Sequence, residues 1–72
     1  MTEKAIVALA AALAVAIPAL ATAYAQARIG SAGAGTIAEK PETAGTIIVL
    51  EAIPETMVVL GFVVAMMIIG MV

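Results

Sequence analysis

The chain has no cysteine, no histidine and no tryptophan, and it holds one tyrosine and one phenylalanine. Without cysteine or histidine there is no disulfide framework, and the usual sulfur and nitrogen ligands of a structural zinc are missing. A soluble domain of 72 residues lacking both staples would be marginally stable. Charge is equally scarce, with three Lys or Arg against five Asp or Glu and a net charge of -2. Phosphate backbones require clustered cations, whereas Lys4, Arg28 and Lys40 stand far apart, so no nucleic-acid partner is expected. What the chain has in quantity is apolar surface: 65% hydrophobic residues and a mean hydropathy of +1.26. These values match a membrane chain, in which lipid replaces the missing core.

After the polar lead Met1 to Lys4, the 23 residues from Ala5 to Ala27 carry no charge. As a helix they reach about 35 Å against a hydrocarbon core of about 30 Å. A signal peptide cleaved near Ala21-Thr22-Ala23 or Ala25-Gln26-Ala27 would look similar. Since the chain begins at Met1, the segment is expected to stay in the protein. Small residues alternate at Ala19, Ala21, Ala23, Ala25 and Ala27. On a helix, 19, 23 and 27 stack on one side and 21 and 25 fall nearly opposite, so neighbouring helices can approach closely from both sides. The glycines between Gly30 and Gly35 are read as helix continuing, because membrane helices tolerate glycine and pack closely through it. They match no nucleotide-binding loop.

The firm break is Glu39-Lys40-Pro41-Glu42. Pro41 disfavours helix at Lys40 and suits the first turn of a new helix. The expectation is an all-α membrane protein, one antiparallel hairpin domain over 1–72 with helix 1 at about 5–38, the polar loop at about 39–42 and helix 2 at about 43–72. The second apolar run, Ala44 to Val72, is interrupted by Glu51, Pro54 and Glu55. Pro54 has no N–H for the Leu50 carbonyl, so a local bend is expected one residue before Glu55.

An ionisable side chain at membrane depth is by default a functional site. Gln26 lies 15 residues before Pro41 and Glu55 lies 14 after it, so a hairpin brings the two to one level. There the amide can satisfy the carboxyl in a medium without water. Leaving water disfavours a bare carboxylate, so Glu55 is expected to hold a proton, or a hard cation such as Na⁺ with oxygens from Gln26, Thr56 and the Ile53 carbonyl. Release needs an aqueous path or a basic residue, most economically an Arg, from another protein. Glu51, one turn nearer the loop, is a possible second carboxylate, read first as a group near the interface or facing a ring interior. Tyr24, Phe62 and the methionines are read as packing.

The order Ala19-x-Ala21-x-Ala23-x-Ala25-Gln26, Ala38-Glu39-Lys40-Pro41-Glu42, Pro54-Glu55-Thr56 and Leu60-Gly61-Phe62 resembles the proteolipid, or c-type, subunits of rotary ATP synthases and ATPases, most closely the archaeal and vacuolar-like branch. The resemblance implies a hairpin repeated as a homo-oligomeric ring in the cell membrane. It further implies Glu55 as carrier of H⁺ or Na⁺, with Gln26, Thr56 and Ile53 beside it. The loop Glu39, Lys40, Pro41 and Glu42 would contact central-stalk subunits on the cytoplasmic side, and a stator subunit would supply an Arg. No catalytic chemistry in this chain and no resident cofactor are implied; the ion is cargo. Met57 and Leu60 replace a polar residue and a tyrosine common in sodium-binding members, which favours protons. Two other readings share the composition: a small pore-forming or lysis peptide, and a single-span protein with a cleaved signal.

Overall fold

The computed structural model describes residues 2–71. Helix α1 runs Glu3–Glu39, 37 residues without a break. At about 1.5 Å per residue it is as long as the molecule, which measures 55 Å along its main axis. Thr2 starts it: the hydroxyl accepts the Ala5 N–H at 3.1 Å, and Glu3 places a negative charge in the first turn. That arrangement satisfies an orphan amide and suits the positive end of the helix dipole. Gly30, Gly33 and Gly35 lie within the helix and do not end it.

Lys40 leaves helical geometry (φ -135°, ψ 85°), as the residue before a proline tends to. Its N–H still closes the last turn on the Thr36 carbonyl at 2.8 Å. A single 3-10 turn, Pro41–Thr43, reverses the chain, and the Lys40 carbonyl accepts both the Thr43 N–H (2.9 Å) and the Thr43 hydroxyl (2.7 Å). The returning limb is α2, Ala44–Ala52, and α3, Glu55–Ile69. The sequence pattern predicts one helix over 43–72 with a bend at Pro54; the helix instead divides at Ile53-Pro54, and Val72 lies outside the described residues. Ile53 and Pro54 keep right-handed helical dihedrals, so the limb is jointed rather than reversed. Beyond the joint the Thr56 and Met57 amides bond three residues back, to Ile53 and Pro54, both at 3.1 Å. Proline's missing donor forces this local tightening.

The two limbs meet along a seam of small residues. Buried there are Ala11, Thr22 and Gly33 on α1 with Gly61 and Ala65 on α3. A side chain at Gly33 would collide with Ile47, and one at Gly61 would start 2.5 Å from the Ala14 carbonyl oxygen and 3.2 Å from Cγ of Pro18. Close approach therefore depends on glycine at both contacts. Outside the seam, large apolar side chains face outward, among them Leu20 at 74% and Met67 at 67% exposure. Both limbs, Glu3–Glu39 and Pro41–Ile69, are long and apolar enough to cross a membrane.

Candidate functional site

The joint organises the polar side chains of the seam. Pro54 breaks the ladder, and two carbonyls around it accept side chains of α1: that of Glu51, and that of Pro54, which also accepts the Met57 N–H. Gln26 Nε2 donates to the Glu51 carbonyl at 3.1 Å, and the Thr22 hydroxyl donates to the Pro54 carbonyl at 2.8 Å. Thr22 and Gln26 are four residues apart, so they share one face of α1. Thr22 is only 3% exposed, in an otherwise apolar seam. The buried hydroxyl finds its acceptor in a carbonyl that also takes the Met57 N–H.

Gln26 has a second role in the same place: its Nε2 also donates to Glu55 Oε2 at 3.0 Å. One amide thus ties the end of α2 and the start of α3 to α1. Glu55 lies at the hairpin's surface with Gln26 half-buried behind it. The Thr56 hydroxyl donates to the Ile53 carbonyl at 2.8 Å, placing two oxygens side by side next to Glu55. The four residues singled out for the ion, Gln26, Ile53, Glu55 and Thr56, therefore meet around the joint. Gln26 presents its NH₂ group to the carboxyl, which suits a carboxyl oxygen as acceptor; a cation would want the amide oxygen there. Among the described residues no three His, Cys, Asp or Glu side chains group as metal ligands.

The other expected positions are dispersed. Ala19 and Ala25 are half-buried, while Ala21, Ala23 and Ala27 are exposed on α1. Glu39, Lys40, Pro41 and Glu42 are exposed at one end of the hairpin. Arg28 turns away from the site: its Nη1 donates to the Tyr24 hydroxyl at 3.1 Å and the guanidinium lies 5.5 Å from the ring centre. Glu51 is half-buried. Its carboxyl lies in the seam against Gly30. The residue that residue patterns alone leave out is Thr22, whose signal is its four-residue spacing from Gln26. Below the joint, Met57, Leu60 and Gly61 on α3 and Leu13, Ile17 and Pro18 on α1 help line an open apolar groove of about 470 Å³.

Against this geometry, the family model for the C subunit of ATP synthase matches residues 9–68. The chain belongs to that family. The match spans both limbs, the turn and the joint, so the whole polar seam lies within the matched region. As a member of the family the chain is an integral membrane proteolipid, a rotor-ring subunit of the ion-translocating ATP synthase. No curated protein matches it.

Proposed function

We propose that Glu55 is the ion carrier of this rotor subunit and that the ion is a proton. The observation that carries this reading is the Gln26–Glu55 hydrogen bond at a joint in a membrane-spanning limb. At about 1.5 Å per residue, Glu55 is about 21 Å from the turn in a hairpin 55 Å long, which puts it about 6 Å to the loop side of the midplane in a centred bilayer. A protonated Glu55 is neutral and can pass through lipid. Discharge uses an Arg of a stator subunit, and the ring turns as its copies load and discharge in sequence. Moving one charge through 100 mV supplies about 2.3 kcal/mol, so the ring sums several ions for each ATP. Copies of the hairpin pack through the exposed Ala21, Ala23 and Ala27 stripes. The turn Glu39, Lys40, Pro41 and Glu42 faces the cytoplasm and meets the central stalk, in an archaeal or vacuolar-like enzyme of the cell membrane.

The choice of proton rests on three features. Gln26 offers an N–H rather than an oxygen, and neither Met57 nor Leu60 gives a further polar ligand on α3. The test is carbodiimide labelling of the purified assembly with and without Na⁺ across a pH series, mapped by mass spectrometry. Labelling at Glu55 that ignores Na⁺ is expected. Protection of Glu55 by Na⁺ would make the ion sodium, and absence of labelling at Glu55 would remove it as carrier.

A further inference from the structure

Glu51 is the polar side chain that the ion site leaves unused. Its carboxyl lies so close to α1 that a Cβ on residue 30 would be 3.1 Å from Oε2 and 3.7 Å from the carboxyl carbon. Gly30 is thus a recess that fits this group. The other oxygen, Oε1, is shut off from solvent and has no hydrogen-bond partner. A buried acceptor without a donor is costly, and an ionised one far more so.

Among the described residues, nothing that faces Glu51 can offset a charge. From α1 come Gly30, which has no side chain, and Gln26, whose amide goes to the Glu51 main-chain carbonyl and to Glu55. From α3 comes Glu55, a group of the same sign. Arg28 is held on Tyr24, and both lie about 160° around α1 from Gln26. The nearest charge at the turn end of α2, Glu42, is nine residues away, about 13 Å along a helix.

We propose that Glu51 is a second proton-binding site, which keeps its own proton in the Gly30 recess whatever the charge on Glu55. The hairpin then never carries more than one negative charge in its seam. This rests on the membrane-spanning hairpin and does not require Glu55 to be the carrier.

The test is infrared spectroscopy of the intact assembly at neutral pH, with glutamate ¹³C-labelled at its side-chain carboxyl so that acid and carboxylate bands are assigned to glutamate. In Glu55→Gln a carboxylic-acid band should persist, and in the Glu51→Gln/Glu55→Gln double variant it should be lost. An acid band missing from Glu55→Gln, or still present in the double variant, would overturn the proposal. Should the double variant fail to assemble, the same band is followed in Glu55→Gln alone as the pH is raised from acid, where the glutamates start protonated. Its conversion only after the solvent-exposed glutamates supports the sealed site, and conversion together with them overturns it. Failure of the carrier reading shows separately, as ATP synthesis that survives Glu55→Gln.

Discussion

Pro18 lies inside α1 and leaves it a single rod, whereas Pro54 divides the returning limb into α2 and α3. Each proline removes a donor and frees the carbonyl four residues earlier, Ala14 in the first case and Leu50 in the second. The difference lies in what the facing helix brings. At Pro18 it brings Gly61: the hydrogen in place of a side chain points at the Ala14 carbonyl, a weak Cα–H···O contact in apolar surroundings. At Pro54 it brings a hydroxyl and an amide, which take the Pro54 and Glu51 carbonyls and leave the amide a second hydrogen for Glu55. One broken ladder becomes a packing contact and the other a polar site. The effect of a membrane proline is set by its neighbour across the seam, not by its own helix alone.

The sharpest break of this contrast is Glu55→Gln. The amide side chain keeps a partner for Gln26, so the ring should assemble, while ATP synthesis in proteoliposomes falls to the background of empty vesicles. At the dry joint, Gly61→Val drives a side chain into the Ala14 backbone and should cost about 3 kcal/mol, the upper range for overpacking, measured as stability to detergent denaturation. Thr22→Val removes one of the two donors on the Pro54 carbonyl, which keeps the Met57 N–H, and should cost about 1–1.5 kcal/mol in the same assay, with Thr22→Ser recovering most of it. The smallest effect belongs to Pro18→Ala, less than about 1 kcal/mol in either direction, because a regained ladder bond offsets the lost contact of the ring with α3. An effect at Pro18 as large as that at Thr22 would erase the distinction between the two joints.

Much of this arrangement can be read without coordinates. Counting outward from Pro41 pairs Gln26 with Glu55, because helices that rise equally per residue keep side chains near the turn level. The same count fails for Thr22, which is 19 residues before Pro41 while its partner Pro54 is 13 after. The partner is a main-chain carbonyl at a tightened joint, and neither the direction of a carbonyl nor the slip of a joint is written in residue spacing. Glu51 escapes a spacing argument for a related reason. Its orientation depends on the recess at Gly30, and a glycine's sequence position does not say what lies against it.

The Thr22 hydroxyl bond to Pro54 spans 32 residues of sequence but joins two atoms in contact. A rotor subunit transmits force as well as ions. Where a continuous helix would hand an axial pull from one turn to its next, the jointed limb hands part of it sideways into α1, through one hydroxyl and one amide. The Glu55 carboxyl therefore sits at the coupling between a stiff shaft and a hinged arm, tied to the shaft by the Gln26 amide.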